Sequence, residues 1–528
     1  MNNEVNLFND FAFSSWYHPV KGGKLLFITI AIGSALFIFP TFLFYFPPFQ
    51  DFPLHAALSK IAWEYNSNTF FQENFTRYGW INFFSFFRFI TGVLAQFTGY
   101  IVATKIYISF YFILLPLGLA LWLRSLGKNS WLSLTAFIVI INPMLLWGFL
   151  TYCEGISLWL IAMGLFCYAE RKWSFHWELI LSFLSILIFL THALVFFIWV
   201  FFLFFWLITG SKPLYNLKRL RILIPSIILL LIWGISNFFY GKAYYSNVFL
   251  KKLHLVQNPL IIKLSSIPQN LFIVFRYTEI GDILFIFFLF ILLIIIYFSN
   301  SQNLKLSIRL IVTTFFLLIF YFLLFPVHIN RIYWIYPRLV LPALITLILW
   351  PEGIKKRIFN IAVIIISIIS IANGVLYFKG LQDFQKELSP FKEIIHKIPK
   401  GKRLCTLIFK PQSKVFAKLP YLHFGAYNIL FNGGTTSRMF VGTGITWKNP
   451  LLDKLGSKFE AAPKSFRWKK HAKYFDYFLI RGKVPDEIKN SKAILVSQGG
   501  KWHLYKKPFF NKKEKNMLKT PGFISSSY

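Results

Sequence analysis

The sequence predicts a polytopic α-helical membrane protein with a small C-terminal extramembrane α/β domain. Of the 528 residues, 56% are hydrophobic and only 14% are charged, whereas about a quarter of the residues of a soluble domain are charged. The apolar residues fall in blocks of roughly 18 to 22, the length of a helix that crosses a bilayer. After Phe378 the composition becomes polar and basic, with turn signals such as Pro399-Lys400-Gly401.

About eleven apolar segments are expected to cross the membrane in a bundle that occupies residues 1–379. The first span runs from Leu25 to Phe46, and residues 47–100 follow as an outer loop. Within that loop 80–100 holds polar residues and is expected to lie at the membrane interface without crossing. Two short spans meet at Thr191-His192. The further spans are expected near 102–123, 131–149, 154–170, 178–191, 193–209, 222–240, 283–299, 305–325, 338–350 and 357–378.

The positions of Lys and Arg favour one orientation of these spans. With a cytoplasmic N-terminus and a non-crossing 80–100, five basic clusters face the cytoplasm, as the positive-inside rule requires. The loop at 47–100 and the C-terminal domain then face the other side. The loop at 241–282 fits less well, since it is placed outside although it carries several Lys. The clusters are Arg124/Lys128, Arg171/Lys172, Lys212/Lys218/Arg219/Arg221, Lys305/Arg309 and Lys355/Lys356/Arg357.

The region after the last span is expected to fold outside the membrane. Residues 380–510 are predicted to form the α/β domain, with a helix at 389–397 and strands at 403–409, 475–480 and 502–505. Residues 511–528 are predicted to be a disordered tail. Three isolated cysteines, Cys153, Cys167 and Cys405, suggest neither a disulfide framework nor a metal cluster.

The net charge of +36 is explained by basic loops and a basic tail. Nucleic acid is a poor partner for a chain this apolar, whereas membrane lipids with anionic head groups are expected to attract it.

Asp51 and His55 are the first candidates for chemistry, because a carboxylate and an imidazole lie just past the first span. If the segment after Asp51 is helical, the two side chains lie one turn apart on the same face. Asp51 would then act as a general base or bind a divalent cation, and His55 would assist it or bind a phosphate when protonated. The simpler interpretation makes Asp51 the N-cap of that helix, with Pro53 in its first turn.

Three arginines in or beside predicted outer loops are candidates for binding a phosphate, since Arg forms paired hydrogen bonds to phosphate oxygens. They are Arg276, Arg331 and Arg338, and the last two flank an aromatic cluster. His192, at the outer junction of two short spans, is a candidate for the same phosphate, because ionisable groups are rare at membrane depth. The structural alternatives are snorkelling for the arginines and a hydrogen bond to a neighbouring helix for His192.

Four further titratable residues carry weaker signals. Glu64 and Glu73 lie further along the outer loop, where either could supply a second carboxylate, and Glu64 is kept as a candidate substrate-binding residue. A solvated surface charge is the simpler interpretation for both. Glu154 is expected to favour a helix start through the helix dipole. His423 is expected to be a packed residue of a strand and not a ligand.

Together these features resemble the GT-C class of integral-membrane glycosyltransferases. The shared pattern is one span, an outer loop with an acidic residue, interfacial helices, a many-span bundle and a periplasmic α/β domain. Most of the chain also resembles a group of bacterial polytopic membrane proteins, a resemblance that by itself implies no activity. That resemblance rests on Gln50-Asp51-Phe52-Pro53-Leu54-His55, Asn142-Pro143 with Gly148-Phe149-Leu150, Leu190-Thr191-His192, Pro420-Tyr421-Leu422-His423-Phe424 and Tyr477-Phe478-Leu479-Ile480-Arg481-Gly482.

The GT-C resemblance implies transfer of a sugar from a polyprenyl-phosphate donor to a glycan, lipid or protein acceptor on the periplasmic face of a bacterial inner membrane. Asp51 would activate the acceptor, and His192, Arg331 and Arg338 are donor-phosphate candidates by position. The loop has no DxD motif or adjacent acidic pair, so a divalent cation stays an open question and no other cofactor is indicated. A flippase or transporter of a lipid-linked glycan and a non-catalytic scaffold for envelope-polysaccharide assembly are the alternatives.

Overall fold

The computed structural model describes residues 23–210, 213–240, 255–276, 278–299, 304–329, 332–440 and 444–508, and the predicted tail lies outside them. The described chain is mostly helical, and its apolar helices make it a multi-pass membrane protein. Seven helices are long and apolar enough to cross a membrane, namely Gly23–Leu43, Tyr100–Ser125, Leu150–Ala169, Tyr215–Ser236, Glu279–Tyr297, Leu306–Leu324 and Lys356–Leu388.

Four shorter apolar helices accompany the seven: Ser130–Val139, Phe175–Thr191, Ala193–Ile208 and Tyr336–Ile348. The predicted break at Thr191-His192 is present, because His192 has an extended backbone between the second and third of these helices. The predicted number of about eleven crossings stays a prediction, since length and composition alone do not decide whether the shorter helices cross.

The centre of the bundle is formed by the helices Tyr100–Ser125 and Leu150–Ala169, which approach each other closely through glycine. A Cβ at Gly118 would lie 2.9 Å from the Cβ of Leu160, and a Cβ at Gly164 would lie 2.8 Å from the Cγ of Leu121. Small residues allow such close helix packing inside a membrane. The helix Leu150–Ala169 is thereby almost wholly buried, whereas Gly23–Leu43 and Lys356–Leu388 expose apolar residues in the manner of lipid-facing helices.

Basic residues that were predicted to share one side of the membrane meet at one end of the bundle. Glu170 accepts contacts from Arg309 at 3.1 Å and Arg219 at 3.2 Å, and Arg171 donates to the carbonyl of Ser125 at 2.7 Å. Ser125 ends the helix that begins at Tyr100, next to the loop at 47–100. The Glu170 contacts and that loop therefore lie at opposite ends of the same helix, as the predicted topology requires.

The loop at 47–100 contains the helices Phe52–Glu64, Thr69–Asn74 and Ser85–Thr98 and the strand Phe75–Arg77. With 14 residues, Ser85–Thr98 spans about 21 Å, less than a bilayer core of about 30 Å, and the expectation that 80–100 does not cross stays a prediction. The strand pairs antiparallel with Ile445–Trp447 in the C-terminal region. The C-terminal region is thus docked directly on this loop.

The C-terminal region is built on a four-stranded mixed sheet, in the order Leu404–Ile408, Tyr477–Arg481, Trp502–Lys506 and Ile494–Gly499. The first two strands are parallel and the other pairs are antiparallel. Three strands lie where the sequence predicts them, and Ile494–Gly499 was not predicted. The predicted helix at 389–397 is shorter, Phe391–Ile395. The predicted domain boundary near residue 380 stays a prediction, and the helix Lys356–Leu388 runs through it.

The remaining elements are short. A three-stranded sheet joins Leu255–Val256, His328–Ile329 and Ile332–Tyr333. The apolar stretch Tyr215–Ser236 is made of the consecutive helices Pro213–Leu217, Lys218–Leu223 and Ile224–Tyr240. The other described helices are Pro143–Trp147, Leu260–Ser265, Ile267–Leu271, Phe424–Ala426, Tyr427–Asn432, Pro450–Ala461, Pro463–Ser465, Trp468–His471, Ala472–Tyr474 and Asp486–Lys489.

Candidate functional site

Asp51 lies at the start of the helix Phe52–Glu64, and its side chain is buried, with 9% exposed. The carboxylate does not cap this helix, so the interpretation of Asp51 as a side-chain N-cap is wrong. Instead its Oδ1 lies 2.8 Å from Nδ1 of His423 and accepts a hydrogen bond from Gln50 at 3.3 Å. The predicted helix itself is present, and Pro53 stands in its first turn, where proline needs no hydrogen-bond donor.

The backbone of Asp51 is held by the turn that follows the helix Pro143–Trp147. The amide of Asp51 donates to the carbonyl of Trp147 at 3.2 Å. Gly148 closes this turn with a φ of +84°, and a Cβ added to it would lie 2.8 Å from the Cβ of Asp51. Asn142 begins the helix by accepting from the amides of Met144 and Leu145. The segment from Asn142 to Gly148 therefore forms the backbone support of the carboxylate.

Gly148→Ala is expected to lower the melting temperature of the protein more than Gly127→Ala does. Both glycines have a positive φ, which costs another residue about 1–2 kcal/mol. Gly127 has nothing within 4 Å of an added Cβ, whereas Gly148 meets Asp51. The two variants are compared by fluorescence-detected thermal unfolding in detergent. Equal shifts would contradict the support that we assign to Gly148.

His55 lies one turn after Asp51, and its ring contacts aromatic residues, with centroids 5.4 Å from Phe87 and 5.2 Å from Phe440. Burial, the largest influence, lowers the pKa of His55 to about 4; Asp51 opposes this shift and His423 adds to it. His55 is therefore neutral near pH 7. In that state it can share a hydrogen bond with a substrate, but it brings no positive charge to a phosphate.

His423 joins Asp51 to the C-terminal region. Its Nδ1 faces Asp51, and its Nε2 lies 3.1 Å from Oε2 of Glu460 on the helix Pro450–Ala461. The same Glu460 oxygen lies 3.0 Å from Nε of Arg438. The expectation that His423 is a packed strand residue is wrong, because it precedes the short helix Phe424–Ala426 and its ring bridges two carboxylates. A chain of alternating charge thus runs from Asp51 to Arg438.

The charges explain why the pKa values along this chain shift. Burial opposes the protonated form of His423, but the carboxylates of Glu460 and Asp51 outweigh it and raise the pKa of His423 to about 9. Burial likewise opposes the charged form of Glu460, but His423 and Arg438 outweigh it and lower the pKa of that carboxyl. At neutral pH His423 is therefore an imidazolium that forms a hydrogen bond with Glu460 and an ion pair with Asp51.

His192 and Arg338 lie together, with Nε2 of His192 3.3 Å from a terminal nitrogen of Arg338. Arg338 stacks 4.0 Å from the ring centroid of Phe149, and the hydroxyl of Tyr152 donates to its carbonyl. Phe149 directly follows Gly148, so this pair lies beside the support of Asp51. Nδ1 of His192 and Nε of Arg338 are buried without a hydrogen-bond partner among the described residues. The structure thus brings together two of the predicted phosphate ligands.

The other candidates from the sequence lie apart or outside the described residues. Glu64 is partly exposed and lies 3.9 Å from Lys60 on its own helix. Arg276 is exposed, and its described contact is a backbone hydrogen bond to Val415. Arg331 lies outside the residues that the structure describes. Glu154 is buried on the helix Leu150–Ala169, with one carboxylate oxygen unbonded in the described structure.

Four residues of the site were missed as candidates by the sequence analysis. His423, Glu460 and Arg438 come from the C-terminal region, and no local pattern connects them to Asp51. Arg88, on the helix Ser85–Thr98, is 2% exposed, and its Nε and one terminal nitrogen have no hydrogen-bond partner in the described part of the chain. The sequence could have indicated Arg88, because it is the only cation in an apolar helix and such groups are functional candidates by default.

The described residues do not fit a bound metal ion, because no group of three His, Cys, Asp or Glu among them could hold one. At the centre of the site, His423 uses its two ring nitrogens on Asp51 and Glu460. These nitrogens point in different directions, so the two carboxylates do not converge on a common point.

Comparison with solved structures identifies the fold class. No family model matches the sequence, and no curated protein matches it. The chain has the fold of GT-C membrane glycosyltransferases, as the sequence resemblance implied. One matching structure is ArnT from Cupriavidus metallidurans in the apo state. Its TM-score is 0.56 and its identity is 10%, over 95% of this chain and 99% of ArnT.

A second structure of ArnT, bound to undecaprenyl phosphate, matches with a TM-score of 0.57 and 9% identity, over 92% of this chain and 98% of that one. At such identity the likeness establishes the fold, and activity has to be argued from the site.

Proposed function

We propose that the protein is a membrane glycosyltransferase that moves a sugar from a polyprenyl-phosphate donor to an acceptor hydroxyl. The observation that carries this proposal is the match of nearly the whole chain to ArnT bound to undecaprenyl phosphate. The acceptor is a glycan, a lipid or a protein at the periplasmic face of a bacterial inner membrane. The N-terminus is then cytoplasmic and the C-terminal region periplasmic.

In the proposed reaction the acceptor oxygen attacks the anomeric carbon of the sugar. The bond from that carbon to the phosphate oxygen breaks, and the polyprenyl phosphate leaves with the bonding electrons. The acceptor proton passes to the carboxylate of Asp51, which acts as the general base. The described residues contain no set of ligands for a metal ion, so the proposed reaction has no step that uses a divalent cation.

The negative charge that develops on the leaving phosphate needs cations in a site shielded from water. Arg338 and His192 are the proposed phosphate ligands, because their free polar atoms lie beside Phe149, close to the support of Asp51. Arg88 is a further candidate, since its guanidinium is buried on the helix whose Phe87 contacts His55. A guanidinium suits this role because it binds phosphate through two parallel hydrogen bonds.

The transporter alternative is less well supported. Transporters place paired charges or broken helices near the middle of the membrane. Among the described residues, the ion pairs of the bundle gather at the Glu170 end, and the Asp51 contacts lie at the other end of the helix Tyr100–Ser125. This distribution favours a site that works at one membrane surface.

Deletion of the gene is expected to remove a sugar from an envelope glycan, lipid or protein and to raise the amount of its polyprenyl-phosphate donor. Mass spectrometry of envelope extracts would measure both. Wild type and Asp383→Ala, an exposed acid that pairs with Lys386, are expected to restore the sugar, whereas Asp51→Ala is not. Restoration by Asp51→Ala at equal membrane abundance would exclude catalysis by Asp51 and favour the scaffold or transporter.

A further inference from the structure

We propose that His423 is a positioning residue for the transfer reaction: its imidazole fixes the Asp51 carboxylate through Oδ1 and leaves Oδ2 to receive the proton of the acceptor. The inference rests on the proposed function and adds a residue of the C-terminal region to the site. It also makes docking of that region a condition for catalysis.

The hydrogen bonds of Asp51 define which oxygen is free. Both described polar contacts of its side chain are made by Oδ1, an ion pair with Nδ1 of His423 at 2.8 Å and a hydrogen bond from the amide of Gln50 at 3.3 Å. A carboxylate can accept at both oxygens. Since Oδ1 is occupied, the proton of an acceptor hydroxyl is received at Oδ2, and the orientation of the carboxylate is set from the side of His423.

The imidazole of His423 is itself held in place by Glu460, on the side of the ring away from Asp51. Nε2 of His423 lies 3.1 Å from Glu460, and Glu460 is held by Arg438, which also donates to Ser457 at 2.8 Å. The His423 side chain is 5% exposed, and Phe440 packs edge-on against its ring with the centroids 5.6 Å apart. With each nitrogen within ion-pair distance of a carboxylate and Phe440 packed against it, the ring cannot turn without breaking an ion pair.

The protonation state of His423 determines whether its ring can donate a hydrogen bond to one carboxylate or to two. The imidazolium donates at both nitrogens, whereas the neutral ring carries one proton and can donate to Asp51 or to Glu460 only. The charged groups that act on the ring or its partners are Asp51, Glu460, Arg438 and Arg338, and the nearby titratable His55 is neutral near pH 7. Since the carboxylates raise the pKa of His423 to about 9, the ring holds both carboxylates at neutral pH. Above about pH 9 it loses its charge and can hold only one of them, so the proposed positioning of Asp51 weakens.

The test measures the pH profile of sugar transfer by purified protein in lipid nanodiscs. The wild type is expected to lose activity as the pH rises through about 9. Glu460→Gln removes the largest influence that raises the pKa of His423, so its alkaline loss is expected at lower pH. His423→Gln keeps an amide donor for Asp51 at every pH, so it is expected to retain part of the activity without that alkaline loss.

Two more variants separate positioning from folding. His423→Ala is expected to lower kcat at least tenfold while the KM for the donor stays within about twofold, because the donor phosphate is bound elsewhere. His176→Gln changes an exposed histidine at the start of the helix Phe175–Thr191 and is expected to keep the wild-type profile. A wild-type alkaline loss that persists in His423→Gln would overturn the positioning role.

A second readout needs no turnover. Solid-state ¹⁵N NMR of histidine-labelled protein in bilayers distinguishes imidazolium from neutral imidazole, and the chain has 10 histidines. At pH 8, His423→Gln is expected to remove one imidazolium signal, and Asp51→Asn is expected to shift that signal. An unchanged spectrum in either variant would overturn the pairing even if Asp51 proves catalytic. Absence of transfer by the wild type would instead overturn the proposed function, and with it the reaction role of His423.

Discussion

Asp51→Asn is expected to reduce sugar transfer by a factor of about 10²–10⁴, the usual contribution of a positioned general base. Asparagine has the shape of aspartate and keeps an oxygen that can accept from His423 and Gln50. It cannot take up the proton of the acceptor hydroxyl, so the attacking oxygen is no longer activated. The measurement is the rate of transfer by purified protein in nanodiscs at saturating donor.

The fold is expected to survive this substitution. The side chain of Asp51 caps no helix, and its backbone is held by Trp147 and Gly148 whatever the side chain is. Asp383→Asn serves as the matched control, since Asp383 is an exposed acid outside the site. Size-exclusion profiles and melting temperatures of the two variants should both be close to wild type. Near-normal transfer by a well-folded Asp51→Asn would remove the general base from the mechanism.

Arg338→Gln is expected to weaken binding of undecaprenyl phosphate about 10- to 100-fold. A hydrogen bond to a charged group contributes about 1.5–3 kcal/mol, and each 1.4 kcal/mol is a factor of ten in affinity. Glutamine keeps a donor of similar reach but loses the charge and the paired geometry. Arg338→Lys keeps the charge without the paired geometry and is expected to lie between glutamine and wild type.

Binding can be measured by titrating the lipid phosphate into nanodiscs and following the melting temperature. The control is Arg357→Gln, because Arg357 is exposed next to the start of the helix Lys356–Leu388 and belongs to a predicted cytoplasmic cluster. Equal affinities for Arg338→Gln and Arg357→Gln would show that Arg338 does not hold the phosphate, and Arg88 would become the leading candidate.

The sequence could predict what depends on local pattern. Runs of apolar residues predict helices in a membrane, and Asp51 followed by Pro53 predicts a helix start whose turn spacing brings His55 near. The break at Thr191-His192 was visible for the same reason, since it interrupts an apolar run. His192 was found because ionisable groups are rare at membrane depth, and Arg338 because it stands beside a predicted outer loop and suits phosphate binding.

The sequence could not predict what depends on docking between distant parts of the chain. The contact of His423 with Asp51 exists because the strand Phe75–Arg77 pairs with Ile445–Trp447 and so fixes the C-terminal region against the loop. Nothing near His423 distinguishes a ring that bridges two carboxylates from one packed among aromatic residues. A helix cap was likewise an alternative interpretation of Asp51, and only the position of His423 shows where its carboxylate points.

The most direct test of the proposed function follows donor and product in one reaction. Purified protein in liposomes is incubated with polyprenyl-phosphate-linked sugars and an envelope acceptor fraction, and mass spectrometry quantifies free polyprenyl phosphate and sugar-bearing acceptor. The wild type is predicted to form both in equal amounts, and Asp51→Asn to form neither. Movement of the intact donor lipid across the bilayer, without release of its phosphate, would contradict the transferase and identify a flippase.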